Sequence, residues 1–90
     1  MATIHYLGVV ESEPDSAYGI WFPDMPGCFP AADELDDLPR VAAELLRQHV
    51  EALESNGRAV PTLRSIGDVM RDEEVRKAIT RGAMTMLVPS

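Results

Sequence analysis

Three kinds of side chain in this sequence could carry chemistry: one cysteine, two histidines and fifteen carboxylates. A nucleophilic Cys28 would need His5 or His49 as its base and a cation nearby to hold the thiolate. Residues 1–39 contain no Lys or Arg, so Cys28 reads as a small buried or edge hydrophobe. His49 falls inside the apolar arc of a helical stretch, where a histidine is normally a packed neutral ring with one hydrogen-bond partner. The carboxylates raise metal-dependent hydrolysis, which needs several acids converging on one cavity. The first apolar run offers none before Glu11, Asp24 sits in a proline corner, and Asp33, Asp36 and Asp37 suit a helix start. No phosphate-cradling glycine loop, zinc spacing or Gly-x-Ser-x-Gly elbow is present. No catalytic residue, metal site or cofactor is therefore expected.

The charge is unevenly placed. Residues 1–39 hold eight acids, whereas all eight basic residues lie from Arg40 onward among the other seven acids. The net charge is −7, and an acidic first half repels a phosphate backbone while steering a basic partner. Glu11, Glu13, Asp15 and Asp24 are the candidate contacts for such a partner. One cysteine permits no internal disulfide, no apolar run is long enough to span a bilayer, and the start Met-Ala-Thr-Ile-His lacks a signal peptide's features. A cytoplasmic protein without membrane contact is expected.

The stretch Tyr18 to Phe29 must position these groups. A short aromatic and β-branched run stops at Phe22-Pro23-Asp24, and Pro26-Gly27-Cys28 turns the chain back. Two prolines around Asp24 forbid a continuous strand, and Gly27 tolerates the positive φ of a tight turn. Before it, residues 3–11 read as a strand apolar on both faces, hence central, with Gly8 marking a bulge or a close neighbour. After it, residues 28–32 return as a strand that Pro30 restricts to an edge.

The clearest element is a helix within residues 35–55. Leu38, Val41, Ala42, Leu45, Leu46, His49, Ala52 and Leu53 fall within a ~140° arc. Asp36 or Asp37 is the expected N-cap, Pro39 lies in its first turn, and Asn56-Gly57 stops it. Residues 65–80 read as helical with a break near Asp72, Ser65 or Asp72 being suited to cap its pieces. Residues 83–88 form a last strand, expected to run parallel to the first after a helical crossover. The pattern is a single small α+β domain, β-β-β-α-(α)-β, with one helical layer on a four-stranded sheet. An uncovered second face would favour a homo-oligomer, dimer or tetramer.

The run Phe22-Pro23-Asp24, one residue, then Pro26-Gly27-Cys28, followed by an acidic position and a helix with a Leu-and-Ala face, resembles the HicB-like antitoxins. The likeness extends over roughly residues 3 to 88. It implies a truncated ribonuclease-H-like sheet and an antitoxin that blocks a small basic mRNA-cleaving toxin, a HicA-like protein, by direct contact. A nuclease or metal-binding domain on the same scaffold is the alternative. Family members commonly carry a carboxy-terminal ribbon-helix-helix or helix-turn-helix segment, which would begin about where Ser90 falls. DNA binding is thus expected only through a further domain absent from residues 1–90.

Overall fold

Alternation along the first strand decides the layering. In the computed structural model, which describes residues 4–12 and 14–90, β1 spans His5–Glu11. Tyr6 and Val10 belong to one apolar cluster, Leu7 and Val9 to another, and all four are buried. A strand buried on both sides needs two neighbours and two covering layers. The neighbours are β2 (Tyr18–Trp21) and β4 (Met84–Pro89), in a sheet of order β3-β2-β1-β4 with β3 (Ala31–Ala32) at the far edge. Every adjacent pair is antiparallel.

The first face is covered by α1 (Leu38–Ser55), which follows a 3-10 turn at Leu35–Asp37. Leu38, Ala42 and Leu46 recur every four residues and are fully buried against Tyr6, Val10, Ile20 and Val88. Each buried leucine contributes about 1.5–3 kcal/mol. The buried stripe is rotated relative to the arc read from the sequence. Leu45 is left 39% exposed, while Ala43 and Val50 pack against the cluster instead. Pro39 lies in the first turn, but Asp37, at the cap position, makes no capping hydrogen bond.

The second face carries α2 (Ile66–Met70) and α3 (Glu73–Thr80), whose Val69, Val75 and Ala78 are buried against Leu7 and Val9. The single helical layer is thus corrected to helices on both faces. The caps stand where the sequence placed them: Ser65 Oγ accepts from Asp68 N at 3.2 Å, and Asp72 Oδ1 from Glu74 N at 2.9 Å.

The direction of β4 is a second correction. It runs antiparallel to β1, pairing Tyr6 with Val88 and Val10 with Met84. One helical pass after β3 would have delivered a parallel strand. Here α1 makes one pass and α3 another, which returns the chain to the opposite end of the sheet. The ends of α3 mark this route: Asp72 is joined through Arg64 to Asp24, and Arg81 contacts Glu11.

Gly8 marks a close approach rather than a bulge. A Cβ there would overlap Ile20 Cδ1, with Ile20 Cγ1 at 2.7 Å and Phe22 Cε1 at 3.0 Å.

Candidate partner-binding surface

The corner after β2 is built from its anchors outward. Met25 N donates to Phe22 O at 3.0 Å, closing the chain over Pro23 and Asp24. Phe22, Met25 and Cys28 point into the core, and Gly27 takes φ = +89° between the exposed Pro26 and Cys28. The motif Phe22, Pro23, Asp24, Pro26, Gly27, Cys28 therefore alternates core anchors with turn residues. Burial pushes the Cys28 thiol above its ordinary pKa, the opposite of what a nucleophile requires.

Among the described residues, Asp24 is the one charged side chain that is buried, at 8% exposure. Its Oδ2 accepts from Arg64 N at 2.9 Å and its Oδ1 from Arg64 Nε at 2.6 Å. Arg64 Nη1 continues to Asp72 Oδ2 at 3.2 Å. This Asp24–Arg64–Asp72 chain stitches the corner to the start of α3. The hydrogen bond to Asp24 raises the Arg64 pKa further. For Asp72, burial favours the neutral acid, but the bonds from Arg64 and from the backbone of Glu74 and Val75 outweigh it and lower the pKa. Burial, helped by the Asp24 charge, raises that of Tyr6.

A second stitch lies at the other end of the sheet. Glu11 Oε2 accepts from Trp21 Nε1 at 2.8 Å, and Oε1 accepts from Arg81 Nη2 at 2.9 Å. These two bonds, the indole's first, hold the Glu11 pKa below its ordinary value. Glu11, Ser12, Ser16 and Arg81 help line a shallow hollow of about 500 Å³ under the β1–β2 turn. In that turn Asp15 is exposed with φ = +61°, a conformation aspartate tolerates better than most residues. Glu13 lies outside the described residues.

The candidate acids therefore do not form one patch. Glu11 and Asp15 share the β1–β2 turn region, whereas Asp24 lies beyond the opposite end of β2, with both oxygens already engaged. Arg64 and Arg81, which hold Asp24 and Glu11, were not singled out by the sequence. They are 40 and 70 residues from their partners, and no local spacing announces such pairs. His49 is half-buried, its ring flanking Gly27 at the helix edge rather than lying in the core. Beside it Phe29 is 74% exposed and, with Leu45, lines a shallow groove.

Among the described residues, no three His, Cys, Asp or Glu side chains cluster as metal ligands would, and no helix is long and apolar enough to cross a membrane. What remains is a small α+β domain whose polar chemistry sits in turns stitched to helices and in exposed surfaces. The chain belongs to the HicB-like antitoxins of bacterial toxin–antitoxin systems, whose family model matches residues 6–87. No curated protein sequence matches it. Among solved structures it is similar to a chain of a HicA3 and HicB3 toxin–antitoxin complex, at 24% identity and TM-score 0.77 over 94% of this chain and 95% of that one. It is also similar to the Burkholderia pseudomallei antitoxin HicB, at 27% identity and TM-score 0.74, covering 94% of this chain but 61% of that one. Against the N-terminal domain of that antitoxin the identity is 27%, the TM-score 0.72 and the coverage 94% and 95%. The chain thus spans about three fifths of the whole Burkholderia antitoxin and nearly all of its N-terminal domain.

Proposed function

We propose that this domain is the neutralising module of a toxin–antitoxin pair, acting in the cytoplasm by direct contact with a small basic, mRNA-cleaving, HicA-like toxin. The family match over residues 6–87 carries this reading, and the likeness to a chain from a HicA3 and HicB3 complex supports it. The role is binding rather than catalysis. An acid-only first half attracts a cationic RNA-binding surface by long-range steering. Within it, Glu11, Glu13 and Asp15 around the β1–β2 turn are the proposed contacts. Asp24, held by Arg64, keeps the corner in shape. DNA binding belongs to a further carboxy-terminal domain.

The test is co-expression with a candidate HicA-like toxin, co-purification and an RNA-cleavage assay. A stable complex and loss of cleavage at equimolar chain are expected. Undiminished cleavage with the chain in excess overturns the proposal.

A further inference from the structure

Among the described residues, Phe29 is the most exposed large apolar side chain, at 74%. An isolated apolar residue on a surface is ordinary, but the mounting of this one is not. Cys28 and Pro30, its neighbours on either side, are both buried, and Pro30 O accepts from Ile20 N at 3.0 Å. Before them Gly27 takes its φ of +89°, and Pro30 fixes its own φ. The ring therefore projects from a stretch pinned at both ends, and ordering it on contact costs only its own side-chain torsions. Rigid aromatic anchors of this kind concentrate binding energy at protein interfaces.

The ring does not stand alone. With Gly27, Leu45, Gln48 and His49 it lines a shallow groove of about 310 Å³. The charges around that groove are mainly acidic. Glu44 and Glu51, both exposed, lie four residues before and three after Gln48, one turn to either side on the same helix face. Arg47 sits about 160–200° round the helix from Leu45 and His49, and Arg58 stands beyond His49 in the adjoining hollow. The groove is also continuous with the acids of the β1–β2 turn. β3 pairs Ala32 with Tyr18, so the exposed Asp33 follows toward that turn. Phe29 to Asp33 spans no more than about 14 Å of chain. Groove and turn therefore fit within one interface of ordinary size, about 800 Å² per partner.

We propose that this groove is the anchoring contact for the toxin. It receives an arginine or lysine side chain whose stem lies against Leu45 and whose charge meets the face of the Phe29 ring. Glu44 and Glu51 complement that charge at the rim. The inference rests on the antitoxin reading and assigns different roles to two parts of one surface. The acids at Glu13 and Asp15 speed the encounter, while Phe29 sets how long the complex lasts.

The test compares the parent with Phe29→Ala against a purified candidate HicA-like toxin, by stopped-flow and calorimetric titration. Phe29 is exposed, so circular dichroism and melting temperature should not change. Affinity should fall about 30-fold or more, through faster dissociation, with association nearly unaltered. Phe29→Tyr keeps the ring and should retain most of the affinity, whereas Glu51→Lys should weaken binding. A parent that binds and inhibits, with Phe29→Ala within about threefold of it, overturns this inference alone. A parent that neither binds nor inhibits overturns the function and the inference together. Tighter binding by Glu51→Lys assigns the groove to an acidic group and refutes the proposal. So does a parent dimer that Phe29→Ala dissociates in the absence of toxin, which gives the groove to a second copy.

Discussion

Replacing Asp24 with alanine tests the central structural assignment, that this carboxylate fixes the corner to the α2–α3 unit. The side chain is 8% exposed and accepts one hydrogen bond from the Arg64 main chain and one from its guanidinium. A hydrogen bond to a charged group is worth about 1.5–3 kcal/mol. The two losses do not simply add. The Arg64 side chain, 38% exposed, regains water and keeps Asp72, whereas its main-chain N–H is left facing an apolar methyl. The net cost is therefore about 2–3 kcal/mol, or a melting temperature lower by about 10–20 °C for a domain of this size. Asp24→Asn retains an acceptor for the Arg64 N–H and should fall between variant and parent. Thermal unfolding by circular dichroism gives the shift, and Arg64→Ala completes a double-mutant cycle. Native-state hydrogen exchange should also quicken in α2 and α3 before the rest of the domain. An Asp24→Ala melting temperature within about 2 °C of the parent, or strictly additive effects of the two substitutions, refutes the stitch.

Other substitutions test separate links. Gly27→Val places a β-branched residue at φ = +89° and should cost about 1–3 kcal/mol in denaturant unfolding; an unchanged midpoint means the turn is built differently. Gly8→Ala sets a methyl against Ile20 and Phe22 in the core and should destabilise by about 1–3 kcal/mol through overpacking, so equal or greater stability contradicts the close approach. The lowered pKa values of Glu11 and Asp72 mean that the unfolded chain binds more protons in mild acid. Their stabilisation is complete above the ordinary Glu value of 4.5 and is lost as pH falls through the lower folded-state values. Glu11→Gln should flatten that acid limb in pH-dependent melts. For toxin association, reversing Glu13 and Asp15 to lysine should slow binding and weaken its salt dependence, with dissociation little changed in stopped-flow measurements. Reversing Glu11 as well should also lower stability, because it supports Trp21 and Arg81.

Sequence legibility followed the range of the physics. The glycine at the corner, the caps at Ser65 and Asp72 and the central place of β1 are set within a few residues. Their conformations matched the reading. The buried stripe of α1 was legible only to within a turn of its axis, because Leu45 and Val50 are equally apolar and only the sheet chooses between them. The antiparallel course of β4 depended on a second helical pass, and the cover over Leu7 and Val9 on where that pass lands. Neither follows from periodicity. The acids at Glu11 and Asp24 were noticed as charges, but their partners lie far along the chain. Their roles as fasteners were therefore hidden.

The place of β1 also shapes how the domain comes into being. The first strand made is an inner one, and its partner on one side is the last: Tyr6 pairs with Val88, across nearly the whole chain. A nascent chain can form the β1–β2 hairpin and α1 early, but Leu7 and Val9 wait for α2 and α3, and the outer side of β1 waits for β4. Closing so long a loop is entropically costly and delays the final step of folding. Until β4 leaves the ribosome, β1 is the unpaired edge of an open sheet. Afterwards, release of that one strand strips β1 again, so a protease or unfoldase that engages the end of the domain acts on its centre.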